Sequence, residues 1–384
     1  MDAVTVTAAK GFIASGIVAG LKQPADLDLA LVVAEQGEVA AAGMFTTNAA
    51  AAAPVQLTRD RIASGRTRAV ILNSGCANAG TGSSGMADAE RVTAGVAALL
   101  GTSPPAVLMC STGPIGPRLP VVSIERSLTR LVESLDRDGG ATAAAAILTT
   151  DSGPKTSVID GDGFVVGGMA KGAGMLRPDL ATMLCVLTTD AAVEADALQM
   201  ALATAVPPTF NSLNIDGCES TNDTVLLLAS GAAGPVPAAR VAAAVEEACR
   251  NLALQLAADA EGATRVVRLM VSGATDDAAA RRYGKAVADS ALVRASFFGG
   301  DPNWGRILAA LGTCGLDPAV LTVAYEGQRV AEAGVGVDHD DHEIAKLLTG
   351  DFRVEIGLGK GPGRAEILTT DLTPDYARLN GARS

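Results

Sequence analysis

KGAGMLRPDLATMLCVLTTDA, residues 171–191, starts as a glycine-rich loop and finishes as a strand. Gly172 and Gly174 open backbone conformations closed to other residues. Pro178 fixes one φ and restrains Arg177 before it. After Ala181 the run TMLCVLTT (residues 182–189) is apolar and β-branched, as a buried strand is. A loop that can be held under strain therefore hands its strand a threonine, Thr182.

The same design recurs on either side. RAVILNSGCANAGTG (residues 68–82) and AVLMCSTGPIG (residues 106–116) are apolar runs that break into small polar corners. Between such corners lie Ala-rich segments with apolar residues at helical spacing, which predicts helices over 86–100, 238–262 and 276–298. Short strands alternating with amphipathic helices define a mixed α/β class. Residues 135–163, with clustered Gly and Asp, are expected to be a flexible approach to the central loop. The sequence has no tandem repeat and no Ser/Pro linker, and 384 residues suffice for two or three domains or one large domain with subdomains.

Composition narrows the function. Apolar residues make up 48% and charged residues 19% of the chain, the balance of a folded globule. A net charge of -12 and 3% aromatics argue against a nucleic-acid partner, which needs clustered cations or stacking platforms. Small-molecule partners are expected instead. Residues 39–58 carry no charge, but their Ala, Thr, Asn and Pro are too weakly lipophilic to span a membrane. The N-terminal MDAVTVTAAKGF lacks the basic start and apolar core of a signal peptide, so a cytoplasmic location is expected. Six dispersed cysteines without a CxxC pair read as reduced, mostly buried thiols.

Both histidines, His339 and His342, fall in DHDDHE (residues 338–343). The spacing is not the i, i+4 arrangement of a zinc-binding helix. Acids that favour the positive end of the helix begun by EIAKLLTG account for it, so no metal site is expected. With the histidines placed there, a Ser-His or Cys-His nucleophile has no base. An N-terminal threonine supplies its own, an α-amine whose pKa lies at roughly 7.7 to 8.0. Thr182 qualifies if the chain is cut before it. Attack of its hydroxyl on the Ala181 carbonyl would give an ester that water cleaves. Thr182 is also an ordinary residue with which to open a strand, and STGPIG (residues 111–116) is either a plain turn or an oxyanion hole made by the Thr112 hydroxyl and the Gly113 N–H. Residue chemistry leaves both choices open.

An ordered set of motifs runs through nearly the whole chain: KGF, LNSGCANAGTG, CSTGPIG, MAKGAGMLRPDLATML, STNDTVLLLASG, DAEGATR, DPNWGR and DLTPDYARLN. Together they resemble the ornithine acetyltransferase (glutamate N-acetyltransferase) family of arginine biosynthesis. The resemblance implies a layered α-β-β-α architecture of the kind shared with self-processing aminopeptidases. It also implies cleavage between Ala181 and Thr182 into chains of residues 1–181 and 182–384 that stay associated, two copies of each. Thr182 would then carry acetyl from N-acetylornithine to glutamate, with no dissociable cofactor or metal and with acetyl-CoA as a further donor to consider.

The resemblance also assigns roles. Thr112 and Gly113 match the oxyanion pair, and Thr112 also falls among the expected substrate contacts. Lys171, Glu261 and Asn380 match substrate-binding positions. Ser384 stands four residues after Asn380, where the family's closing Ser or Thr stands five after. Asp179 occurs in a branch of the family that serves secondary metabolism, an alternative pathway for the same transfer. A hydrolase on the same fold, amidase or aminopeptidase, is the alternative reaction.

Overall fold

The computed structural model describes residues 5–23, 26–175 and 183–381. These residues form two compact units. The first takes in Met1–Gly172, Asp179–Phe210 and Glu219–Leu256, and the second Ala173–Pro178, Asn211–Cys218 and Ala257–Ser384.

The strands of the first unit are β1 (Phe12–Ile17), β2 (Leu29–Ala34), β3 (Val39–Phe45), β4 (Arg66–Thr67), β5 (Ala69–Asn73), β6 (Val107–Ser111), β7 (Lys155–Asp160), β8 (Val165–Lys171), β9 (Leu184–Ala192) and β10 (Thr224–Pro235). Among the described residues they make a four-stranded sheet in the order β1-β2-β5-β6 and a six-stranded sheet in the order β4-β3-β10-β9-β8-β7. Strand alternation sends Ala30, Val32, Val70, Leu72 and Leu108 from the first sheet into one core with Met169, Leu184, Val186, Leu226 and Leu228 from the second. The opposite face of the four-stranded sheet presents Leu31, Ile71 and Met109 to Val92 and Val96 of the helix Gly82–Leu100 and to Ile124 and Leu128 of the helix Val121–Glu133. On the outer side of the six-stranded sheet, Gly168 leaves room for Leu252 of the helix Ala238–Ala258, which a Cβ there would approach to 3.3 Å. The unit is an α-β-β-α sandwich, the expected architecture.

In the second unit β11 (Val266–Ala274), β12 (Thr322–Tyr325), β13 (Gln328–Glu332), β14 (Val335–Gly336), β15 (Phe352–Gly357) and β16 (Gly363–Thr370) form a sheet ordered β14-β13-β12-β15-β11-β16. Its core joins Leu269, Val271, Val323 and Ile367 to Val287, Phe297 and Ile307 from the helices that cover it.

Three expectations change at their edges. The predicted helix 276–298 is two helices, Asp277–Asp289 and Ala291–Gly299, because Ser290 leaves helical dihedrals and its side chain accepts from the Val293 N–H as an N-cap. The helix predicted to end at 262 stops at Ala258, and Gly262 adopts a positive φ of 66° in the turn beyond. Residues 135–163 hold the buried helix Gly140–Ala146 and strand β7 instead of a flexible approach. Its alanines settle against β1 at Gly16, where a Cβ would lie 2.1 Å from the Thr142 carbonyl oxygen.

Candidate active site

At the end of β6 the chain turns out of the sheet through Thr112 and Gly113. The Thr112 N–H donates to the Asn73 carbonyl and the Thr112 carbonyl accepts from the Cys76 N–H, at 3.0 and 3.1 Å. This pins the turn to the corner that follows β5. Gly113 has a φ of 139°, and a Cβ there would lie 2.4 Å from the Cys76 nitrogen, so only glycine fits. The Gly113 N–H has no acceptor among the described residues. The turn therefore offers two donors, that N–H and the Thr112 hydroxyl.

Lys171 ends β8, buried to 2% exposure. Its Nζ donates to Thr149 Oγ1 at 2.6 Å and to Thr112 Oγ1 at 3.3 Å. An ammonium only donates, so each hydroxyl accepts from it and keeps its own hydrogen for another partner. Asp151 Oδ2 lies 3.6 Å from the same Nζ, while Asp151 Oδ1 accepts from Lys155 Nζ and from the Gly172 N–H, both at 2.6 Å. Burial alone would raise the Asp151 carboxyl. The Lys171 and Lys155 ammonium groups outweigh it and bring the pKa down to about 2. Asp151 is thus a carboxylate at neutral pH that holds the lysine and the first peptide of the following loop. A buried ammonium beside the Thr112 hydroxyl suits a site where negative charge develops.

The STNDT corner, residues 220–224, ties these loops to the strand after the loop. Asn222 Nδ2 donates to the carbonyls of Ala77 and Ser111, at 2.7 and 2.9 Å. Next to it, Asp223 Oδ1 accepts from the Met183 N–H at 2.9 Å. Asp223 is fully buried, its Oδ2 has no hydrogen-bond partner among the described residues, and burial pushes its carboxyl well above the usual range.

The second unit holds Glu261 and Asn380. The Glu261 N–H donates to the Ala173 carbonyl at 2.8 Å, and a Cβ on Gly174 would lie 2.5 Å from Glu261 Oε2. The glycine lets the loop backbone lie against the carboxylate. Asn380 Nδ2, on the helix Pro374–Gly381, donates to the same Oε2 at 2.9 Å. Thr373 Oγ1 donates to the Gly262 carbonyl and accepts from the Tyr376 N–H, which locks that helix onto the turn after Glu261. Ala181, Thr182 and Ser384 lie outside the described residues.

The acidic histidine run is a helix start. Asp340 Oδ1 accepts from the His342 and Glu343 N–H groups at 2.9 and 3.1 Å, opening the helix Asp341–Leu347. His339 Nε2 lies 3.0 Å from Asp341 Oδ1. Among the described residues there is no cluster of three or more potential metal ligands, and no helix is long and apolar enough to cross a membrane. Cys76, Cys110, Cys185 and Cys249 are buried, Cys314 is half-buried and Cys218 is exposed.

A sequence model of the ArgJ family matches residues 13–384. The chain belongs to the ArgJ family. It is 45% identical to the arginine biosynthesis bifunctional protein ArgJ of Thermobifida fusca over 387 residues, 99% of this chain and 100% of that one. Identity to the protein of the same name from Mycobacterium bovis is 48% over 390 residues, 99% and 96% of the two chains. Among solved structures, ornithine acetyltransferase complexed with ornithine from Mycobacterium tuberculosis is 45% identical, with a TM-score of 0.43 over 46% of this chain and 96% of that one.

Reading the ArgJ-family motifs as a string omits four residues that the fold places around the turn and the lysine. Thr149 and Asp151, in LTTDS, sit in a stretch whose Gly and Asp content resembles a linker. Asn222 and Asp223 sit in STNDT, which carries the family resemblance without disclosing a contact. A Thr-Thr-Asp cluster just ahead of a strand that begins with lysine was the one available signal.

Proposed function

We propose that this ArgJ-family chain is an acetyltransferase of arginine biosynthesis that cuts itself between Ala181 and Thr182 and then works through Thr182. The observation that carries the proposal is the Thr112–Gly113 turn, whose hydroxyl and N–H stand as donors beside buried Lys171, eleven residues ahead of Thr182 in the sequence.

After cleavage the Thr182 amine accepts the proton of its own hydroxyl as the oxygen attacks the acetyl carbonyl of N-acetylornithine. Charge on the tetrahedral oxygen falls to Thr112 and Gly113. Ornithine leaves with the proton, and acetyl-Thr182 remains. The glutamate amine then attacks the ester, and N-acetylglutamate departs. Lys171 suits a substrate carboxylate and Glu261 a substrate ammonium, with Asn380 orienting the Glu261 carboxylate and Ser384 closing the tail. No cofactor enters this cycle, and acetyl-CoA is a second donor to test. The assembly is two copies of each chain, in the cytoplasm.

A denaturing gel and an acetylornithine assay test the proposal together. Wild type should run as two fragments of similar size, the second beginning at Thr182, and Thr182→Ala should run as one. Ornithine release should require glutamate. Release at full rate without it would identify a hydrolase on the same fold instead.

A further inference from the structure

We propose that Asp223 is the proton-transfer residue of the self-cleavage, delivering a proton to the Thr182 nitrogen as the Ala181–Thr182 bond breaks. This rests on the self-processing reading above and adds a step to it. The Asp223 carboxyl is completely buried, and one oxygen, Oδ1, already holds the Met183 N–H at 2.9 Å. The nitrogen that cleavage releases is three covalent bonds from the nitrogen so held. The other oxygen, Oδ2, is buried with no hydrogen-bond partner among the described residues, a state that native structures rarely leave unexplained. Asn222 beside it anchors the same corner to Ala77 and to Ser111, the residue before the Thr112–Gly113 turn. One five-residue corner thus holds the backbone on the far side of the cut and the loop that bears the oxyanion donors.

The chemistry balances without another reactant. Thr182 Oγ1 bonds to the Ala181 carbonyl carbon, and the C–N bond to Thr182 breaks. The proton on Asp223 Oδ2 passes to that nitrogen, and the proton of the hydroxyl restores the carboxyl. The product is the ester, an isomer of the peptide, which water then cleaves. A donor must be protonated near neutral pH. Burial favours the neutral carboxyl and outweighs the Met183 N–H, which favours the carboxylate; nearby Glu219 pushes the same way as burial, and Lys171 pulls against it.

The test is Asp223→Asn, which keeps volume and an acceptor for the Met183 N–H but has no proton to transfer. Wild type and variant are made by cell-free synthesis, shifted to buffers across pH 6 to 10, and followed on denaturing gels. The variant should melt no lower than wild type at pH 7 and process about a hundredfold more slowly, while processing within about threefold of wild type overturns the proposal. Wild-type processing should slow on the alkaline side as the carboxyl ionises, a limb that the variant lacks. Equal profiles overturn the proposal too, and should the variant be insoluble, an alkaline wild-type profile without that slowing does so alone. A wild-type chain that stays whole sinks the self-processing reading itself. Wild type cut normally with Asp223→Asn cut equally fast removes only this step.

Discussion

Thr112 is held by three neighbours, Asn73 and Cys76 through its backbone and Lys171 through its hydroxyl. Thr112→Ala leaves the backbone contacts in place and removes one donor to the oxyanion, so acetyl transfer should fall about a hundredfold or more with little change in melting temperature. Asp151 makes a prediction in pH. Its folded pKa of about 2 lies below the ordinary 3.8, so the carboxylate stabilises the fold above the ordinary value. That stability, about 2 kcal/mol, is lost as pH falls through the interval between them. An Asp151→Asn variant should lack this acid-side loss in its unfolding curves, and at pH 7 it should be less stable by about 3 kcal/mol because Lys171 and Lys155 lose their buried counter-charge.

At the scale of elements, local chemistry was legible where it acts within a few residues. DHDDHE reads as a helix start, and Asp340 caps that helix. Asp340→Ala should cost about 1 kcal/mol of stability in urea unfolding and leave acetyl transfer unchanged. The corners after β5 and β6 read equally well, because apolar runs breaking into Gly, Ser and Asn leave few alternatives to a strand and a turn. The single helix expected over 276–298 failed for a cause just as local. Serine is tolerated inside a helix but better used as a cap, and only the packing of both halves on the second unit's core decides which. Residues 135–163 misled in the same way. Glycine there serves close packing, with Gly139 and Gly140 against Ala14 and Thr5, rather than freedom of the chain.

At the scale of the whole molecule, the six-stranded sheet determines what a cut before Thr182 does. β9 and β10 follow it in sequence, yet they lie between β3 and β8, which precede it. Each of those junctions is a ladder of six residue pairs in the core of the first unit. The two fragments should therefore co-elute on size exclusion under native conditions and separate only in denaturant. Elution of either fragment alone at neutral pH, without denaturant, would contradict this. The compact units do not follow the proposed cut, since each takes in residues from both sides of it.

By itself the sequence determined the mixed α/β class, the corners that end β5 and β6, the helix start in the acidic run of residues 338–343 and, through its ordered motifs, the family. These depend on periodicity and on neighbours a few residues apart. Only the tertiary structure decided that Lys171 lies against Thr112 and Thr149, that Asp151 is buried between two lysines, and that Asp223 holds the Met183 N–H with its other oxygen unpartnered among the described residues. Apart from the local pair of Lys155 with Asp151, those contacts join residues 20 to 59 positions apart in sequence. Strand order brings them together, and strand order is set by the burial of two sheets against each other, which no short stretch of the chain encodes.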